Sequence, residues 1–304
     1  MIKTLRFVLA LLLSALTLPL FGAIQAGATS SSKPQCIVSL SPTATETLYA
    51  IGAGAQVRAV DSDSNYPAKG LPTKRINALN PSVEGVLGIC KSTTSHPSTK
   101  PDLVVISYDA NSIKEKLTNL GVKVVYQNAA ASVAAALSQI RQLGQLTGHA
   151  STANALASSM NKAINADIAS VPAHPRKKIT VYYEIGTNPY YSLTSQTFVG
   201  SLMKSLGLVN IADADATTAD AGYPQLSAEY IVSANPKLIF LADSVKPATV
   251  AKRSGFAKVS AVVNHNVVEL NADIASRWGP RLVDLMNQLT SVVKRMLGDA
   301  KLWG

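Results

Sequence analysis

Ser82-Val83-Glu84 opens a helix-like stretch that leads into Lys100-Pro101-Asp102-Leu103-Val104-Val105-Ile106, and the same order returns later as Ser227-Ala228-Glu229 leading into Asn235-Pro236-Lys237-Leu238-Ile239-Phe240-Leu241. In each copy the Ser suits a helix N-cap, and the Glu falls in the first turn, where the backbone dipole favours a carboxylate. The Pro-led apolar run that follows reads as a buried strand. A single first-turn Glu is ordinary helix chemistry. Two of them at matching places describe two similar lobes, each carrying one acidic point.

Around these copies the chain alternates strand and helix. Ile37 to Leu40 reads as a strand, and Ser41-Pro42 starts a helix that stops at Gly52. Val57 to Val60, Leu103 to Ser107 and Val122 to Tyr126 complete a first βα unit, with a helix around Ser112 to Leu120. From Ser132 to Ser170 helical spacing takes over, with Leu137, Ile140 and Leu143 and, after Gly148, Leu156, Met160, Ile164 and Ile168, so a long helix is expected to bridge the lobes. The alternation restarts at Ile179 to Glu184. It continues through a helix at Thr197 to Leu206, strands at Lys237 to Leu241 and Val267 to Leu270, and a terminal helix from Pro280 to about Leu297. The expected fold class is α/β: two small βα lobes with parallel sheets, one long backbone helix between them, and a ligand cleft where the lobes face each other. The expected boundaries are a signal peptide at 1–28, a tail at 29–35, an N-terminal lobe at 36–131, a connecting helical segment at 132–172 and a C-terminal lobe at 173–304.

The first residues carry the marks of export: Lys3 and Arg6, an apolar core from Phe7 to Leu18, then Ala26-Gly27-Ala28 as a small-residue cleavage site. An uncleaved anchor is the competing reading, because the apolar stretch runs on towards Ile24. A bacterial lipoprotein needs a Cys directly after the apolar core, whereas Cys36 lies beyond a polar tail, so no lipid anchor is expected. Export places Cys36 and Cys90, the 2 cysteines of the chain, in an oxidising compartment. Cys36 precedes the first strand and Cys90 ends the helix that Glu84 starts. If the next strand lies beside the first, both fall at one edge of the lobe, and a Cys36–Cys90 disulfide is expected. The net charge of +10 comes from scattered residues, with Arg176-Lys177-Lys178 the one run, so it describes a surface and not a nucleic-acid site.

Two βα lobes joined by a helix behind a signal peptide resemble the helical-backbone class of substrate-binding proteins of ABC importers, which bind vitamin B12, ferric siderophores or haem. The resemblance covers about Cys36 to Leu297. Its marks are Ile37-Val38-Ser39-Leu40-Ser41-Pro42-Thr43-Ala44-Thr45-Glu46, Asn65-Tyr66-Pro67, Lys100-Pro101-Asp102-Leu103-Val104, Pro224-Gln225-Leu226-Ser227-Ala228-Glu229 and Arg277-Trp278-Gly279-Pro280-Arg281. It implies that Glu84 and Glu229 dock onto basic sockets of two permease subunits, matching a pseudo-twofold protein to a twofold transporter. The branch most resembled is the cobalamin-binding one, where Tyr66, Tyr108 and Tyr223 stand at positions that line the cleft.

Ligands of α/β sheets sit beyond the C-terminal ends of strands. There the candidates are Tyr66, Tyr108 with Asp109, Tyr126, Tyr190, Tyr191, Tyr223 and the Arg277-Trp278 pair. Tyrosine offers a rigid apolar face with a hydroxyl, and the Arg277 fork suits a phosphate, carboxylate or amide oxygen. The expected ligand is a metal chelate containing cobalt or iron, with cobalamin first, ferric siderophore second and haem third. No intrinsic cofactor and no protein-held metal are expected, and the protein is read as a monomer. An enzyme is the rival from another class, but no G-x-S-x-G, P-loop or H-E-x-x-H pattern is present, and His96, His149, His174 and His265 are dispersed. Asp213, Asp215 and Asp220 read as a solvated acidic loop. An adhesin, the third class, calls for an exposed apolar patch and no closed cleft.

Overall fold

A computed structural model describes residues 33–302 apart from Thr93, Ser95, His174, Pro175, Ala216, Thr218 and Ala219. The expected signal peptide and the tail up to Ser32 lie outside the described residues. No helix among the described residues is long and apolar enough to cross a membrane.

The N-terminal lobe contains β1 (Ile37–Leu40), α1 (Pro42–Ala50), β2 (Val57–Asp61), β3 (Arg75–Ile76), α2 (Val83–Leu87), β4 (Leu103–Ile106), α3 (Ile113–Asn119) and β5 (Val124–Tyr126). Two connecting helices follow, α4 (Val133–Thr147) and α5 (Ala150–Ala169). The C-terminal lobe contains β6 (Ile179–Glu184), β7 (Gly186–Thr187), β8 (Tyr190–Tyr191), α6 (Phe198–Ser205), β9 (Leu208–Asn210), β10 (Gln225–Leu226), α7 (Ala228–Ala234), β11 (Leu238–Leu241), α8 (Pro247–Val250), α9 (Ser260–Val263), β12 (Val267–Glu269), α10 (Ala272–Ala275) and α11 (Leu282–Gly298).

The sheet of the first lobe runs β3-β2-β1-β4-β5 and that of the second β12-β11-β6-β9, with every pairing parallel. In both, the first strand lies between the second strand and the Pro-led strand that follows the glutamate helix. The two sheets therefore share one topology, β2-β1-β4-β5 answering β9-β6-β11-β12, and the duplicated sequence is a duplicated fold unit. A small antiparallel ribbon, β10-β8-β7, is added to the second lobe.

The sequence predicts one long helix over the connecting segment; the structure divides that segment in two. Gly148 adopts φ 76° as the C-cap of α4, a left-handed conformation that a residue without Cβ takes at no steric cost. The chain turns there, and the 20-residue α5 is the long element that bridges to the second lobe. Its buried Ala153, Ala157, Met160 and Ile164 belong to a continuous apolar core. That core also takes in Ile37, Leu48 and Val105 from the first lobe and Val181, Phe240, Leu285, Leu289 and Val293 from the second. Burying each large aliphatic side chain contributes about 1.5–3 kcal/mol. The core is continuous through both lobes and the bridge.

Cys36 and Cys90 form a disulfide with their Cα atoms 6.2 Å apart. The geometry follows from β4 lying directly beside β1. The α2 helix ends at Leu87, so Cys90 sits just past it instead of closing it. Asp102, which starts the run into β4, accepts hydrogen bonds from the backbone N–H groups of Gln35 (2.7 Å) and Cys36 (3.0 Å), securing the same edge.

Candidate functional site

Strands of both sheets end on the same cleft. From the first lobe, Pro42 and Thr43 follow β1, Ser62, Asp63 and Asn65 follow β2, and Ser107 follows β4; together with Asp273, Ser276, Arg277 and Trp278 they line a polar cavity of about 490 Å³. From the second lobe, Tyr183, Ile185, Leu193, Phe198, Val199, Tyr223, Ala242 and Ala275 line an apolar cavity of about 320 Å³, with Ala129 after β5 on its rim. Ser276, Arg277 and Trp278 border both cavities. A polar and an apolar cavity thus flank the loop between α10 and α11.

That loop is clamped to the first lobe. Arg277 is 7% exposed, and its two terminal nitrogens make four hydrogen bonds. Nη1 donates to Glu46 Oε1 (2.7 Å) and Asn65 Oδ1 (2.9 Å), and Nη2 to the Asp63 carbonyl (2.9 Å) and Asp273 Oδ1 (2.7 Å). Arg281 donates from Nε to Glu46 Oε2 (3.0 Å) and from Nη2 to Glu46 Oε1. Its guanidinium carbon lies 4.4 Å from the centre of the Tyr66 ring, a cation–π geometry. The Glu46 bonds and charge raise the Arg281 pKa further. Trp278 Nε1 donates to Gln139 Oε1 of α4 (2.7 Å), and Asn65 Nδ2 donates to Asp273 Oδ2 (2.7 Å). A Cβ at Gly279 would lie 3.3 Å from the Thr43 carbonyl of α1, so a glycine is what allows the loop to lie against that helix.

The loop after β2 is itself supported from below. Buried Asp61 accepts from the Asp63 backbone N–H (2.9 Å) and bonds the Ser64 hydroxyl, which lies 2.9 Å from Thr45 Oγ1; that in turn bonds Ser39 Oγ (2.9 Å). Desolvation raises the Asp61 pKa above the ordinary carboxylate value. Arg75 caps the Ser64 carbonyl. These buried groups hold Asp63 and Asn65 where Arg277 reaches them.

The sequence candidates divide by position. Tyr223, Arg277 and Trp278 line the cleft. Tyr66 is 44% exposed beside Arg281 and precedes a cis bond to Pro67, and Tyr108 is 61% exposed next to the lining Ser107. Tyr126 ends β5, exposed, with Lys114 Nζ 6.0 Å from its ring centre. Tyr190 points elsewhere: its ring packs against Phe256 at 5.8 Å and under Arg253 at 5.4 Å, beside the bidentate Arg253–Glu184 pair. Tyr191 pairs with Gly186 and Gln225 in the ribbon and lines neither cavity. The Arg277 fork, expected to face the ligand, is instead occupied by the protein's own acceptors. Sequence reading passed over Glu46 and Tyr183. The available signal for Glu46 was the pair Arg277 and Arg281, two cations four positions apart in the loop before α11 that call for an anion nearby.

The cleft carries no surplus positive charge. Arg277 is the sole Lys or Arg among the described lining residues. Against Arg277 and Arg281 stand Glu46 and Asp273, and the exposed Asp63 adds a further negative charge at the polar cavity.

Ser82 and Ser227 cap α2 and α7, accepting from the backbone N–H groups of Gly85 (2.8 Å) and Tyr230 (3.0 Å). Glu84 and Glu229 are both exposed in the first turns of those helices, and the serines, not the glutamates, do the capping.

The model of the periplasmic binding protein family matches residues 37–274. The uncharacterized ABC transporter substrate-binding lipoprotein YvrC of Bacillus subtilis is 31% identical over 274 residues, covering 87% of this chain and 82% of its own. A cobalamin-binding protein of Halobacterium salinarum is 29% identical over 273 residues, covering 86% of this chain and 70% of its own. The solved structure of the periplasmic haem-binding protein RhuT of Roseiflexus superposes with a TM-score of 0.72 at 23% identity, covering 86% of this chain and 98% of that one, a likeness of fold.

Proposed function

This chain belongs to the periplasmic binding protein family, and from that premise we propose that it is the extracytoplasmic substrate-binding protein of an ABC importer and that its ligand is a cobalamin. The observation that carries the ligand reading is the internal neutralisation of the cleft arginines. Ferric siderophores are commonly anionic and haem carries two propionates, so either needs a cation with free N–H donors in a desolvated site. Arg277 and Arg281 are committed to Glu46, Asp273, Asn65 and Asp63. A cobalamin balances its phosphate against the charge on cobalt and presents a rim of amides around an apolar ring. Such a rim is served by Thr43, Ser62, Asn65 and Ser107 on one side and by Tyr223, Trp278 and aliphatic side chains on the other. The exposed phenols of Tyr66 and Tyr108 support the second reading, a ferric chelate or haem, since a phenolate is a good ligand for iron(III).

Delivery falls to Glu84 and Glu229. In this reading the two exposed carboxylates, at equivalent places in a duplicated topology, meet matching cations on two permease subunits. Binding is stoichiometric, with no chemical turnover.

The test is calorimetric titration of residues 29–304 with cyanocobalamin, a hydroxamate and a catecholate ferric siderophore, and haem, with Trp278 fluorescence as a second readout. Tight one-to-one binding of cyanocobalamin alone is expected. Binding of haem or a siderophore with no response to cyanocobalamin refutes the ligand assignment.

A further inference from the structure

Tyr183 is the penultimate residue of β6 and is 1% exposed. Strand alternation turns Tyr182 towards the second apolar cluster and Tyr183 towards the cleft, where it lines the apolar cavity. Its hydroxyl is fully buried and makes no hydrogen bond among the described residues. Desolvation, with the neighbouring Tyr223 phenol second, pushes its pKa up, so it keeps its proton and remains a donor. A buried donor without an acceptor is a cost that folded proteins rarely carry. The side chains of Leu193, Phe198, Val199, Ala242 and Ala275 in the wall carry no acceptor, and the polar lining residues Tyr223, Ser276, Arg277 and Trp278 make no hydrogen bond to it. The cavity, at about 320 Å³, holds roughly ten water volumes of about 30 Å³ each, enough for a two-ring heterocycle, and it opens to the cleft beside Trp278.

We propose that this cavity receives a planar nitrogen heterocycle carried on one face of the ligand, with a ring nitrogen accepting the Tyr183 hydroxyl, and that in a cobalamin this group is the adenine of the upper axial 5′-deoxyadenosyl ligand. The inference rests on the cobalamin reading above. The lower benzimidazole does not meet the requirement: one of its nitrogens is bound to cobalt, the other to ribose, and its outer edge carries methyl groups. Adenine offers three ring nitrogens on a flat, largely apolar body. The protein thereby distinguishes the adenosyl form from forms whose upper ligand is too small to reach Tyr183.

The experiment measures the ratio of affinities for adenosylcobalamin and cyanocobalamin, in the dark, for the parent and for Tyr183→Phe, together with the melting temperature of each free protein. The parent is expected to favour adenosylcobalamin by about tenfold, the worth of one buried hydrogen bond and the contacts around it. In Tyr183→Phe the ratio is expected to fall close to one. The free variant should melt no lower than the parent, because removing an unpaired buried hydroxyl removes a penalty. A ratio near one in the parent, a preference for the cyano form, or an unchanged ratio in the variant overturns the inference while leaving cobalamin binding intact. A variant that melts several degrees lower shows that the hydroxyl has a protein partner, which also overturns it. If neither corrinoid binds, the cobalamin reading itself falls and takes this inference with it.

Discussion

Replacing Glu46 with Ala should loosen the junction between the lobes. Glu46 is 2% exposed, and one carboxylate serves both Arg277 and Arg281, whose side chains are 6% and 14% exposed. Without it Arg277 keeps Asp273, Asn65 and the Asp63 carbonyl, but Arg281 is left with the Tyr66 ring and the charge of Asp273. Removing one partner of a buried ion pair costs about 3–5 kcal/mol, and the remaining partners of Arg277 place this case near 3 kcal/mol. At roughly 2–4 °C per kcal/mol for chains approaching this size, the melting temperature should drop by about 6–12 °C. Ligand affinity should fall as well, because the clamp sets where Ser276, Arg277 and Trp278 stand in the cleft. Scanning calorimetry on the parent, Glu46→Ala, Arg281→Ala and the double variant checks this. The two single losses should be strongly non-additive, since both delete the same pair. A Glu46→Ala protein that melts within about 2 °C of the parent, well inside the range of ordinary surface substitutions, refutes the clamp.

Glu84→Lys with Glu229→Lys should leave melting and ligand affinity nearly unchanged, because exposed first-turn carboxylates contribute only about 0.3–1 kcal/mol each and the serines cap the helices. Transport by the reconstituted importer at saturating ligand should collapse, with an intermediate defect for either single change; normal transport by the double variant shows that the pair is structural only. Asp61→Asn tests the buried carboxyl under the cleft loop by its pH dependence. The folded-state pKa of Asp61 is raised above 3.8 by desolvation, so its contribution to stability is fully present below that value and is lost as pH rises through the higher folded one. The Asn variant should therefore gain on the parent, in paired melts, as pH climbs from about 4 towards neutrality; a variant that loses ground over that range contradicts the desolvation argument.

Much of the fold is legible in local sequence because each element is decided by neighbours a few residues apart. Ser41-Pro42 announces the start of α1, and in the structure Ser41 Oγ accepts from the Ala44 N–H at 3.2 Å with Pro at the first helical position. Leu103-Val104-Val105-Ile106 and Leu238-Ile239-Phe240-Leu241 are continuous apolar runs because strands covered on both faces bury every side chain, and all eight residues are buried. The repeated Ser-x-Glu and Pro-led strand is enough to announce two lobes of one topology. Two-residue strands such as β3, β7, β8 and β10 are too short for any periodicity; β3 exists because the longer β2 pairs with it, and β7, β8 and β10 because the fold brings three short segments side by side.

The disulfide pairing and the two-lobed architecture were thus legible in the sequence alone, through spacing, capping and apolar runs. The chemistry of the cleft was decided by tertiary structure. Arg277 reads in sequence as a free anion handle, and only the fold brings it to Glu46, 231 positions away. Tyr182 and Tyr183 are indistinguishable neighbours in sequence. One faces the second apolar cluster and the other the cleft because β6 is covered on both sides and alternation divides them. Local propensity acts over a few residues, whereas which groups neutralise each other and which buried hydroxyl is left unpaired depend on side chains that meet only when the chain is folded.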